Sequence, residues 1–253
     1  MQGIVNWHIG RCGSSVLGSL LAQHTQIAYS NEIYSRYMPR RRGYRVLPSL
    51  GRVLDSAREG LDLPWHLFEI KHLPDQNLGL YSNLSRLDWL QYLIANGCHH
   101  HLVMRRRNGL RRIVSHLRAA QTGQYVVTSA GPSQFPAQVE VSVESIVHGF
   151  ASRSLLEWLE LYELGHQQMM CAIRDCSMSD PSISFLELTY EDHIQNDPIT
   201  AYRMVCEFLM VPCQSVDVRH AAINSGLLVD LISNFDVVCD YLSATRFAWM
   251  LEL

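Results

Sequence analysis

Ile4-Val5-Asn6-Trp7-His8-Ile9-Gly10-Arg11-Cys12-Gly13-Ser14-Ser15-Val16-Leu17 is an apolar run, then a Gly/Ser turn, then the start of an amphipathic segment. That order specifies a strand, a tight loop and a helix. The two glycines let the backbone turn closely, the amides of residues 12–15 open a helix N-terminus, and Arg11 adds fixed positive charge. Such a turn cradles a tetrahedral anion, a phosphate or a sulfate. The loop has no lysine at its helix end, so it is not the Gly-x4-Gly-Lys-Ser/Thr form, and its glycine spacing is not that of the dinucleotide fingerprint. A ligand other than ordinary ATP or NAD is implied.

Outward from this loop, strands alternate with helices. Residues 27–30 read as a second strand ending at Asn31-Glu32, 67–71 as a third and 99–104 as a fourth, with a helix over 84–96 closed by Gly97. In the segment 110–120, Leu110, Ile113, Val114 and Leu117 recur at helical spacing, which predicts an apolar stripe facing inward and arginines facing outward. The stretch 122–143 is the least regular and reads as a loop near the ligand. A long helix over 152–174, a strand over 185–188, a helix over 200–209 after Asp197-Pro198, and one or two closing helices over 227–242 complete the chain. The fold class expected is α/β: a P-loop-like three-layer α/β/α arrangement with a central parallel sheet flanked by helices, binding its ligand at the carboxyl ends of the strands.

At 253 residues, 47% hydrophobic and 18% charged, the chain can bury its core as one domain over 1–253. A net charge of −3 argues against a dedicated nucleic-acid binder, while local arginines can still hold small anions. No window approaches 18 uncharged apolar residues, and no basic leader precedes the first strand, so neither a membrane segment nor a signal peptide is expected and the cytoplasm is the expected location. Seven scattered cysteines without a C-x2-C pair fit reduced thiols. Cys98-His99-His100-His101 resembles a metal cluster, but consecutive strand residues point to alternate faces, so no metal is expected there. A homodimer is the default expectation for oligomeric state.

Arg11-Cys12-Gly13-Ser14-Ser15, with Leu17-Gly18-Ser19-Leu20-Leu21, Gln23-His24 and then Glu32, resembles the opening of sulfotransferases that use 3'-phosphoadenosine 5'-phosphosulfate (PAPS), in the bacterial small-molecule and carbohydrate branch. Cys12 replaces the usual Ser and Thr25 the usual Pro. Leu102-Val103-Met104-Arg105-Arg106-Arg107-Asn108 followed by Ser115 resembles that family's 3'-phosphate site. A guanidinium there pairs bidentately with phosphate and a hydroxyl adds an uncharged donor. Arg106 and Arg107 both stand at suitable spacing, with Arg106 preferred for its Arg-x-Asn-x-Leu context. Leu188-Thr189-Tyr190-Glu191-Asp192 with Asp197-Pro198 and Phe208-Leu209, and Ile232-Ser233-Asn234 with the segment 242–251, resemble the family's later blocks. The resemblance runs from about Gly3 to the C-terminus.

The resemblance implies sulfonate transfer from PAPS, releasing adenosine 3',5'-bisphosphate. Gly10, Arg11, Cys12, Gly13, Ser14 and Ser15 would hold the 5'-phosphosulfate, and Arg106, Arg107 and Ser115 the 3'-phosphate. The reaction needs a base for the acceptor and stabilisation of the leaving phosphate. Glu32 is the candidate base. His8 is the rival, since a side chain whose ordinary titration is near neutrality suits the role, although its place inside the first strand suits a packed histidine. Lys71 would face the acceptor or the sulfate, and a strand-end lysine explains it equally. The basic run Arg40-Arg41-Arg42 reads as a solvated loop. The acceptor is a small molecule offering a hydroxyl, or alternatively a nitrogen: a sugar, a glycolipid or a polar natural product such as a guanidinium alkaloid. The competing readings are a P-loop kinase or phosphotransferase, opposed by the missing lysine, and a non-catalytic nucleotide-binding module.

Overall fold

The opening apolar run forms β1 (Gln2–His8), buried from Gly3 onward. The computed structural model, which describes residues 1–35, 48–73, 84–125, 137–148, 151–220 and 226–252, builds a five-stranded parallel sheet around it. The other strands are β2 (Ile27–Glu32), β3 (Trp65–Lys71), β4 (His100–Arg105) and β7 (Ser184–Thr189), and the spatial order is β2-β3-β1-β4-β7. The chain leaves β1 toward one edge and β4 toward the other. The carboxyl ends of the two strands therefore flank the switch point where parallel sheets bind ligands.

Two hydrophobic cores flank this sheet. On one face Ile4, Leu67, Leu102 and Met104 pack against α1 (Ser14–Leu21) and a helix over Pro198–Phe208. On the other, Val5, Trp7, Phe68, Ile70 and Val103 meet α2 (Leu50–Arg58), α3 (Arg86–Ala95) and Met169, Met170 and Ile173 of α5 (Leu155–Ser179). Alternate residues of β1 feed opposite cores, as the period of two requires. Helix starts are fixed by side chains: Ser49 accepts from Arg52 N, Ser85 and Asp88 form a capping box, and Asp197 caps the helix that begins with Pro198.

The chain divides into two compact units, residues 1–105 with 165–218 and residues 106–164 with 219–253. The first holds the sheet. The second holds α4 (Gly109–Thr122), the antiparallel hairpin β5 (Ile146–His148) and β6 (Ala151–Arg153), and the closing helices Leu228–Leu231 and Phe235–Ser243. The expected long helix thus starts at Leu155 instead of residue 152, because residues 151–153 are taken into the hairpin. Helix α2 was not anticipated. Among the described residues no helix is long and apolar enough to cross a membrane, and the Arg40-Arg41-Arg42 run lies outside them.

The expected orientation of α4 needs correction. Leu110, Ile113 and Val114 of its apolar stripe are buried and Leu117 half-buried, but Arg112 and Arg118 are buried too. The Arg112 guanidinium lies 3.7 Å from the Tyr162 ring centroid, so an aromatic face replaces water around it. Of the run over residues 98–101, His100 and His101 open β4, which starts one residue later than expected, while Cys98 and His99 precede it. His101 stacks on Trp7 and accepts its indole N–H, while His100 edges Trp65 and Phe208. Burial pushes His101 down to about 3, which keeps it neutral as an acceptor.

Gly18, inside α1, marks the tightest approach of that helix to the sheet: a Cβ there would collide with the Tyr29 ring. Alanine in a helix interior is ordinarily favoured by about 1 kcal/mol over glycine, whereas overpacking costs about 1–3 kcal/mol. Gly18→Ala is therefore expected to destabilise the protein by up to about 2 kcal/mol net in urea unfolding. A gain in stability would show that Tyr29 swings aside at no cost.

Candidate functional site

The site begins with sheet register. His8 stands opposite Lys71 and Asn6 opposite Glu69 across β1 and β3, so His8, Glu69 and Lys71 share the face that carries α1. Simple alternation along β2 would turn Glu32 away from that face. The β2–β3 register shifts between Ser30 and Glu32, and the irregularity brings Glu32 opposite Glu69. Such bulges re-aim a side chain. Four ionisable residues thereby converge at the carboxyl ends of three neighbouring strands.

Behind them lies the loop. Gly10, Arg11 and Gly13 all have positive φ, at 82°, 57° and 87°. For Arg11 this conformation costs about 1–2 kcal/mol, so the turn is held by its surroundings. Gly13 has no room for a side chain, since a Cβ would lie 2.9 Å from Ile194 and 3.0 Å from Tyr190. The α1 N-terminus that follows has no side-chain cap and no acidic residue in its first turn. Free helix N-termini of this kind attract negative charge. Cys12 is fully buried, so this position contributes backbone and packing, and its thiol lies beside the His8 imidazole.

Lys71 closes over the loop. Its Cε lies 3.2 Å from where a Gly10 Cβ would stand, and its Nζ is 2.6 Å from Glu32 Oε1. The end of β3 thus brings an ammonium beside the start of the loop. Lys71 therefore touches both the first glycine of the loop and the candidate base.

His8 and Glu69 form the buried floor, each 1% exposed. The Gly10 N–H donates to His8 Nδ1 at 3.0 Å, His8 Nε2 lies 3.2 Å from Glu69 Oε2, and the Tyr29 hydroxyl donates to Glu69 Oε1 at 3.0 Å. Burial disfavours a charged His8 and the Glu69 carboxylate favours one; the Gly10 amide, which can only donate, decides between them for an unprotonated Nδ1 and a neutral ring. Burial first, then the Glu69 charge, pushes the Tyr29 phenol well up, so it remains a donor. Glu69 and Tyr29 were not found by sequence reasoning. A glutamate inside an apolar strand and a tyrosine beside it carry no motif, and register alone connects them to His8.

Arg106, Arg107 and Ser115 belong to the second unit. The two arginines precede Asn108, which caps α4 by accepting from Arg111 N at 2.9 Å and donates to Met250 O at 2.9 Å. Arg107 is exposed, Arg106 half-buried and Ser115 buried on α4. Arg105, the last residue of β4, is instead tied to Glu187 at 3.3 Å, and Glu187 also meets His166 Nε2 at 3.0 Å. Beside this group His72 is buried, and burial, then the Arg86, His8 and His166 charges, hold it well below its ordinary pKa. Tyr190, Glu191 and Asp192 lie in a short helix over Tyr190–His193, whose Tyr190 ring packs close to Gly13.

No protein-family model and no curated protein sequence matches the chain. Among solved structures it is similar to the crystal structure of a sulfotransferase from Alicyclobacillus acidocaldarius, with 12% identity, a TM-score of 0.51, and coverage of 100% of this chain and 94% of that one. At that identity the likeness is one of fold: a mixed α/β chain with a parallel central sheet flanked by helices, in the P-loop-like arrangement.

Proposed function

We propose that the protein is a sulfotransferase moving a sulfonate group from PAPS to a hydroxyl, or alternatively a nitrogen, of a small polar acceptor. One observation carries this reading. An uncapped helix N-terminus stands behind a left-handed Gly/Arg/Gly turn, and a lysine and a glutamate meet at its mouth. The turn and the lysine fit a tetrahedral anion, and the glutamate supplies the base that an acceptor needs. The fold shared with the Alicyclobacillus acidocaldarius sulfotransferase supports the same chemistry.

In this scheme the amides of residues 12–15 and Arg11 hold the phosphosulfate end, and Arg106, Arg107 and Ser115 take the 3'-phosphate. Glu32 removes the acceptor proton as the new bond to sulfur forms and the bond from sulfur to the 5'-phosphate oxygen breaks. Lys71 exchanges its contact with Glu32 for the sulfonate and the leaving oxygen. That exchange couples donor arrival to release of the carboxylate toward the acceptor.

Isothermal titration with adenosine 3',5'-bisphosphate is expected to show saturable binding, with ATP producing none. Tight ATP binding without bisphosphate binding would overturn the reading in favour of a phosphotransferase. Incubating the protein with PAPS and sugars, glycolipids and guanidinium-bearing compounds, with detection of the mass gain of one sulfonate, then identifies the acceptor class.

A further inference from the structure

We propose that His8 is a positioning residue for the anion loop and not its proton-transfer base. The inference starts from donor and acceptor chemistry. A backbone amide only donates, so the 3.0 Å bond from Gly10 N to His8 Nδ1 requires an Nδ1 without a proton. The neutral ring then carries its proton on Nε2, which lies 3.2 Å from Glu69 Oε2. A negative oxygen at that distance favours this tautomer over the other. Nδ1 is thus committed to the loop amide, and Nε2 stands against the Glu69 carboxylate, with both residues 1% exposed.

The same tautomer decides a second question. One ligand atom from each of His8, Glu32 and Glu69 lies within 4.8 Å of the others, an arrangement that elsewhere holds a cation. To ligate through Nε2 the neutral ring would have to carry its proton on Nδ1, which sets that N–H against the Gly10 amide and breaks their bond. The loop contact therefore opposes a cation at this cluster.

Glu69 is fixed in turn. Tyr29 donates to its other oxygen at 3.0 Å, and the Tyr29 ring closes on Gly18 of α1. The chain of contacts thus runs from α1 through Tyr29, Glu69 and His8 to Gly10, joining the helix to the start of the loop it follows. Gly10 and Arg11 adopt successive left-handed conformations, and for Arg11 this is unfavourable unless something holds it. The His8 acceptor is one such hold. Its loss takes that acceptor from a buried amide and leaves the loop amides less well aimed, a penalty that corresponds to about 10- to 100-fold.

Two substitutions separate the roles. Asparagine places its carbonyl oxygen near the position of Nδ1, and glutamine reaches the position of Nε2. His8→Asn is expected to keep Gly10 amide exchange and bisphosphate affinity within about threefold of wild type, whereas His8→Gln accelerates that exchange and weakens that affinity by about 10-fold or more. In turnover assays His8→Gln raises the donor KM with kcat largely kept. Equal defects in the two variants, both melting like wild type, would overturn the proposal, as would a selective loss of kcat in both. The wild-type protein supplies a test independent of any variant. The 15N shifts of the His8 ring at pH 7 are expected to show a bare Nδ1 and a protonated Nε2; a ring protonated on Nδ1 overturns it. Hydrogen exchange and the ring shifts need no donor, so they stand even if the loop binds an anion other than the bisphosphate.

Discussion

Glu32→Gln is expected to lower turnover by about 10²–10⁴-fold, the usual worth of a positioned general base. The substitution keeps the shape of the side chain, and the glutamine oxygen can still accept from Lys71 Nζ, now 2.6 Å from Glu32 Oε1. Folding and the Lys71 position should therefore survive. What disappears is the proton acceptor. Bisphosphate affinity is expected to stay within about threefold, or to tighten slightly, since removing a carboxylate near an anion site lowers repulsion. A turnover unchanged in Glu32→Gln would remove Glu32 from the chemistry and leave it as the partner of Lys71. Reduced affinity with kcat intact would place it in binding alone.

The ease with which the loop was read, and the difficulty of reading the rest of the site, have separate physical origins. A Gly/Ser turn between an apolar run and an amphipathic stretch leaves the backbone few choices, and β1, the turn and α1 appear where the sequence places them. The parallel sheet followed from alternation and is present with β1 central. Glu69 was invisible for the opposite reason. In Leu67-Phe68-Glu69-Ile70 local pattern implies only a packed strand, and the role of the carboxylate depends on Asn6 and Tyr29 lying at particular registers in other strands. Strand register is a tertiary property. The irregularity that turns Glu32 inward has no glycine or proline to announce it; its one local trace is the Glu32 amide donating to Asn31 Oδ1 at 2.8 Å.

The buried arginines of α4 show the same limit from another side. Helical periodicity counts Arg112 as polar and assigns it to water, yet Tyr162, fifty residues downstream in sequence, offers the guanidinium an aromatic face. Helix α2 was hidden because Leu50-Gly51-Arg52 reads as loop, and only the Ser49 cap and the burial of Val53, Leu54 and Ala57 make it a helix. Each miss is a case in which a distant partner overrides a local preference.

Lys71→Met is expected to reduce turnover by about 10²–10³-fold, the scale on which a single oriented donor stabilises developing charge. Methionine preserves most of the side chain's length and its packing over Gly10, where the Lys71 Cε approaches a hypothetical Cβ to 3.2 Å, and it removes only the ammonium. Because adenosine 3',5'-bisphosphate lacks the sulfonate, its affinity should fall much less than the rate, and that contrast separates charge stabilisation in the transition state from simple anion binding. Lys71→Arg should rescue poorly. The planar guanidinium is wider than an ammonium and cannot settle both on Glu32 and above the loop. The double variant Glu32→Gln with Lys71→Met decides how the two residues work. If Lys71 acts on the sulfonate while Glu32 acts on the acceptor, each single loss persists in the presence of the other and the double variant is slower than either. If Lys71 served only to hold Glu32 in place, removing it from the Glu32→Gln background would cost nothing further. Nζ stands 2.6 Å from Glu32 Oε1 and 3.9 Å from where a Gly10 Cβ would be, so a small movement of the side chain carries it from the carboxylate to the proposed anion loop, and the first outcome is the one expected.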